Sequence, residues 1–123
     1  MNSETEFMQD RRNIWTAESC LRRALEAIFD MGRHIVAKGF GEAVTEYKEI
    51  ASALNRHDIL SASDLQLMQK LAGYRTRLVH FYHEVSANEL FEICSKHLGD
   101  VEHIANVLRA YIAAHSALLD ETL

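Results

Sequence analysis

The stretch NIWTAESCLRRALEAIFDMGRHIVA, residues 13–37, decides the fold. Ile14, Leu21, Ile28 and Ile35 recur at seven-residue intervals, flanked by Ala17, Leu25, Phe29 and Val36. Seven residues are close to two helical turns, so these side chains form one continuous apolar stripe. The reading is an amphipathic helix over about 13–37, which must bury that stripe against other elements. Gly39 and Gly41, on either side of Phe40, mark its end, because glycine accepts the left-handed conformation that closes a helix.

The neighbouring segments repeat the pattern. Val44, Tyr47, Ile50, Ala51 and Leu54 share one side of a shorter helix, and Asn55-Arg56-His57-Asp58 reads as a turn. Ser61 or Ser63 can cap the next helix, and Asp64 suits its positive end. That helix is expected over about 63–82, with Leu65, Met68, Leu71 or Ala72, Leu78 and Val79 on its apolar face. Ser86, followed three residues later by Glu89, has the capping-box pattern. It opens a long last helix over about 86–117, striped by Leu90, Ile93, Cys94, Val101, Ile104, Leu108, Ile112 and Leu119, which Gly99 can bend but need not break. There is no proline, no period-two alternation and no internal repeat. The expected fold is therefore all-α, an up-and-down bundle of about four helices with short loops.

Length and composition bound the function. The 123 residues are expected to form a single domain over 1–123, with residues 1–10 as a flexible or partly helical tail. The hydrophobic fraction of 48% is that of an ordinary globular protein, and no apolar run approaches the roughly 18 residues of a membrane span. The polar start, Met1-Asn2-Ser3-Glu4-Thr5-Glu6, does not resemble a secretory or transit signal, so the expected compartment is the cytoplasm. Cys20 and Cys94 lie far apart without a Cys-x-x-Cys spacing, which favours buried thiols over a disulfide or a metal site. The net charge of −5 opposes a long nucleic-acid groove. Between Lys70 and His83, however, stand Lys70, Arg75, Arg77 and two histidines with no acid, which suits a small phosphate site.

The chemistry-bearing residues converge on one segment. His80, His83 and Glu84 form the best local metal arrangement, but no second ligand cluster joins them, and no metal is assigned. No phosphate-cradling glycine loop, His-Glu-x-x-His pair or serine nucleophile elbow occurs. What remains is Tyr74-Arg75-Thr76-Arg77-Leu78-Val79-His80-Phe81-Tyr82-His83. On the residues alone, it reads either as a reactive cluster or as cations stabilising the negative end of a helix. On a regular helix His80 stands about 140° round from Arg75, whereas Tyr82 returns to nearly the same face.

Arg75, four intervening residues, His80, one residue and Tyr82 make the Arg-x4-His-x-Tyr signature that resembles the HepT-like proteins of the HEPN superfamily. The resemblance runs further. Residues 24–35 look like the family's core helix, Leu54 through Leu60 look like its connection into the motif helix, and Leu78 to Tyr82 is close to the family's wording. It spans roughly residues 14 to 115. Two departures stand out: Thr76 follows the arginine where the family usually has Asn or another strongly polar residue, and the N-terminus looks short. The short N-terminus is expected to expose apolar surface on the first and last helices.

The resemblance implies a metal-independent endoribonuclease toxin of a HEPN–MNT toxin–antitoxin pair. Arg75 and His80 would be catalytic, with Thr76, Arg77, Tyr82 and His83 in support. His80, with an unperturbed pKa of about 6.5, can carry a proton near neutral pH, and the permanently charged fork of Arg75 suits a phosphate. One chain supplies one motif histidine, so the implied site is composite, built at the interface of a homodimer that binds RNA. The implied partner is an MNT-type nucleotidyltransferase antitoxin that transfers AMP to Tyr82 and silences the site. ATP and Mg2+ would serve that partner, and this chain needs no cofactor. The alternative is a non-catalytic dimer and antitoxin-binding module that has lost cleavage through Thr76.

Overall fold

The computed structural model describes Thr5, residues 9–80 and residues 87–115, with the side chains of Val79, His80 and Ala87 outside that description. Five helices lie among the described residues: α1 (Arg11–Phe40), α2 (Tyr47–Arg56), α3 (Ala62–His80), α4 (Ala87–Lys96) and α5 (Leu98–Ala114). No strand occurs among them. The all-helical expectation holds, with α1 as the central element that packs on all four others.

The apolar stripe of residues 13–37 is the buried face of α1. Leu21, Leu25, Ile28, Phe29, Ile35 and Val36 are all buried, while Ile14 and Ala17 pack at the margin. Asp10 caps the start by accepting from the Arg12 backbone N–H at 2.9 Å. Gly41 closes the end in the left-handed conformation, φ 67°, with its N–H donating to the Ala37 carbonyl. Between them Gly32 fits a close approach: a Cβ there would stand 2.9 Å from Ile50 Cγ2 and 3.0 Å from Leu54 Cδ1. The missing side chain lets α2 dock against the middle of α1.

The turn into α3 is fixed by its polar groups. The Asn55 side-chain amide donates to the Leu60 carbonyl at 2.9 Å, Asp58 takes the left-handed conformation (φ 61°), and Leu60 is buried. Ser61 rather than Ser63 caps α3, its hydroxyl accepting from the Asp64 N–H at 3.1 Å. Histidines secure the periphery. His57 stacks on Phe40 with ring centroids 3.8 Å apart and bonds Glu42 at 2.9 Å, and His103 bonds Asp64 at 2.9 Å.

Two expectations need correction. The long last helix is divided at His97, whose φ of −115° and ψ of 3° lie outside the helical region. Its carbonyl accepts from the Asp100 N–H at 3.1 Å, and its ring approaches the Asp100 carboxylate at 3.5 Å, so a polar turn forms two residues before Gly99. The buried-thiol reading holds only in part: Cys20 is exposed and Cys94 half-buried, both free. Burial pushes the Cys94 thiol up, and the neighbouring Cys20 adds to the shift. A cleft of about 230 Å³ opens beside the α1–α5 contact, lined by Ala24, Ala27, Met31, Leu98, Val101 and Ala105 among others.

Candidate functional site

The motif from Arg75 to His80 occupies the C-terminal part of α3, whose last residue is His80. Arg75 points inward rather than to solvent, with its side chain 13% exposed. Its guanidinium lies 4.9 Å from the Tyr47 ring centroid, and that ring rests on Phe29 with centroids 4.9 Å apart. One terminal nitrogen meets Glu26 Oε1 of α1 at 3.1 Å. A cation taken from water needs such partners, since an unpaired buried charge is costly. Arg75 Nε is buried with no hydrogen-bond partner among the described residues. The carboxylate, the aromatic face and the arginine come from three helices, so the fold fixes where the guanidinium sits.

Thr76 is turned back onto its own helix. Its hydroxyl donates to the Ala72 carbonyl at 3.0 Å, a local bond open to serine and threonine inside helices. The proton is thereby committed, and the oxygen keeps only acceptor capacity.

Arg77 reaches α4. It meets both Glu89 oxygens, at 2.6 and 2.7 Å, in the two-pronged geometry that makes arginine–carboxylate bonds strong. The Arg77 guanidinium holds the Glu89 carboxyl below the usual glutamate value of 4.5. Glu89 also stands in the first turn of α4, where a negative charge suits the helix dipole. The sequence marked this glutamate as the reaching-back member of a capping box with Ser86, which lies outside the described residues. The structure turns its carboxylate to Arg77.

These pairs correct the reading of a basic island. The absence of acids along residues 70–83 is a property of the sequence only. In space Glu26 and Glu89 arrive from other helices and pair with Arg75 and Arg77. Lys70 lies 5.8 Å from the Tyr74 ring centroid, on the exposed side of α3. Neither Glu26 nor Tyr47 stood out as a site residue in the sequence, since both fall on amphipathic helices far from the motif. Tyr82, His83 and Glu84 lie outside the described residues, as does the side chain of His80. Among the described residues no group of three His, Cys, Asp or Glu side chains gathers to hold a metal. No described helix is long and apolar enough to cross a membrane.

The comparisons with known proteins agree with the motif. Neither the curated proteins nor the solved structures contain a significant match. The family profile described as "Ribonuclease HepT-like" matches residues 1–108, which takes in α1 to α4, the whole Arg-x4-His-x-Tyr segment and most of α5. The chain belongs to the HepT-like ribonuclease family of the HEPN superfamily.

Proposed function

We propose that this chain is a metal-independent endoribonuclease, the toxin of a HEPN–MNT toxin–antitoxin pair, acting in the cytoplasm. The observation that carries the reading is the position of Arg75 and His80 in the C-terminal part of α3, with Tyr82 two residues on in the sequence, in a chain matched by the HepT-like family profile. Cleaving RNA without a metal needs a base for the 2′-hydroxyl, an acid for the departing 5′-oxygen and a cation for the charged phosphorane. His80 supplies a proton carrier that works near neutral pH. Arg75 supplies a cation that no accessible pH removes. A homodimer that brings two motif ends together provides a second histidine, so acid and base come from two chains. Tyr82 accepts AMP from an MNT-type nucleotidyltransferase, which uses ATP and Mg2+. The added phosphate and base then block a cleft meant for RNA phosphate by charge and by bulk.

A second reading has an observation of its own. The Thr76 hydroxyl is spent on Ala72 and Arg75 is tied to Glu26, so two motif groups are turned toward the protein. A chain so arranged can serve as a dimeric antitoxin-binding module without cleavage.

Expression of the chain alone and together with its nucleotidyltransferase partner separates the readings. The toxin arrests growth alone, is relieved by the partner, and gains mass in AMP units that Tyr82→Phe abolishes. Light scattering at micromolar concentration shows a dimer. Growth without arrest, with AMP still added at Tyr82, leaves the binding module. A chain that neither arrests growth nor gains mass contradicts both.

A further inference from the structure

Arg77 lies in the last turns of α3 and Glu89 in the first turn of α4, so their bonds join the two helix ends that flank residues 81–86. Tyr82 and His83 fall, by sequence, inside that six-residue connection, and His80 is the last residue of α3. The two side chains are each about one-third exposed, 33% and 32%. Solvent therefore screens the pair less than it would a fully exposed one. Two parallel bonds fix the angle as well as the distance between the partners.

Two of the five guanidinium N–H groups of Arg77 are taken by that carboxylate, and a phosphate that claimed the same two-pronged edge would displace it. Glu89 would then keep its charge at the helix start without the guanidinium that stabilises it. A lone surface cation that recruits RNA carries no such penalty. The two-pronged edge of the guanidinium is directed at α4, the geometry of a residue that holds the helix.

We propose that Arg77 and Glu89 are a pair of positioning residues that fix the two helix ends carrying the motif segment, and that Arg77 does not bind the RNA phosphate. This rests on the ribonuclease reading above. The pair acts through His80 and Tyr82 by holding the ends of the segment in which they stand. Misplacement of a reacting group by about 1 Å can cost on the order of 100-fold in rate. Loss of the pair thus appears in the turnover step, while substrate affinity is left alone. A phosphate contact behaves in the opposite way. Its loss weakens binding and lowers the dependence of affinity on salt by about one unit of slope.

The test compares the full-length native chain with Arg77→Gln, Glu89→Gln and the exchanged pair Arg77→Glu with Glu89→Arg. RNA cleavage is measured over a range of RNA and salt concentrations. Each single variant is expected to lower kcat by roughly 10- to 100-fold, with KM and the salt slope unchanged. The exchanged pair recovers much of the loss. A raised KM and a shallower salt slope in Arg77→Gln, with Glu89→Gln as active as the native chain, overturns the proposal and makes Arg77 a phosphate ligand. Equal kcat in all four chains overturns it too. Hydrogen exchange at residues 77–80 and 87–91 gives a second readout that needs no catalysis. Both singles are expected to speed exchange there by about tenfold and to leave the core of α1 protected. A native chain inert towards RNA with that acceleration removes the ribonuclease reading and keeps the pair's structural role. An unchanged exchange pattern overturns the pair itself.

Discussion

The middle of α1 and the end of α3 are built on different rules. Around Gly32 the packing is apolar and close, with Ile50 and Leu54 of α2 and Met68 of α3 meeting a residue that has no side chain. Around Arg75 and Arg77 the packing is polar, and each guanidinium is met by a carboxylate from another helix. The first region is stabilised by burial, which tolerates no charge but has little directional demand. The second depends on direction, because an arginine bond is worth its strength only when donor and acceptor align. The scaffold can therefore be written in a periodic sequence. The site needs partners that only the finished fold brings together.

The largest expected effect comes from breaking the apolar side of this contrast. Phe29 is fully buried and its ring supports Tyr47, which in turn lies under Arg75. Phe29→Ala should cost about 3–5 kcal/mol of stability, the usual range for removing a buried aromatic ring. Denaturant unfolding measures it, and a loss below about 1 kcal/mol would show that the stack does not bridge scaffold and site.

Next comes the motif residue whose proton the helix has claimed. Thr76→Asn replaces a hydroxyl bonded to Ala72 with an amide that has two donors and an acceptor. Cleavage should rise by roughly 10- to 100-fold, since one hydrogen bond to a charged group is worth about 1.5–3 kcal/mol. Dimerisation and Tyr82 modification should not change. If Asn adds nothing to a chain that already cuts at full speed, this position lies outside the chemistry.

A smaller effect sharpens the polar side. Glu26→Gln leaves the buried Arg75 with a neutral partner, and should lower stability by about 1–2 kcal/mol. The glutamate is itself 40% exposed, which holds the cost below that of a fully buried pair. Thermal unfolding at two salt concentrations checks it. An unchanged Tm would mean that Tyr47 alone retains the arginine.

The smallest effect is the pH dependence of the Arg77–Glu89 pair. Glu89 titrates below its ordinary 4.5 in the folded chain because Arg77 bonds the ionised form. A group lowered by folding contributes stability that is present above the unfolded value, and it loses that contribution as pH falls through the folded one. The native chain should therefore be more stable than Glu89→Gln above about pH 4.5, by a few tenths to about 1 kcal/mol, read as a higher Tm. The gap should close on further acidification. A gap that widens in acid has the wrong sign for this pair.

Much of the scaffold was legible. The seven-residue interval from Ile14 to Ile35 named the buried face of α1, and Gly41 marked its close because a positive φ is needed there. Ser61 was one of two serines proposed to cap α3, and the distance to the Asp64 N–H selects it. The division at His97 was not legible, since the stripe of Leu90 to Ile112 continues across it and the turn depends on local bonds to Asp100. The proposed site residues were legible as a motif, while their surroundings were not. Arg75 and His80 announce themselves by spacing, but Glu26 looks like any polar residue on an amphipathic helix. Glu89 was visible only as a capping residue, because its partner belongs to another helix.

On the proposed reading His80 moves protons in a ribonuclease that needs no metal. This is tested most directly by RNA cleavage in excess EDTA, comparing the purified native chain with His80→Ala at equal thermal stability. The native chain should cut in the chelator, and His80→Ala should be slower by about 10²- to 10⁴-fold, the usual worth of a general acid or base. Cleavage lost in EDTA and restored by a divalent ion would contradict it, as would a His80→Ala chain that cuts at the native rate.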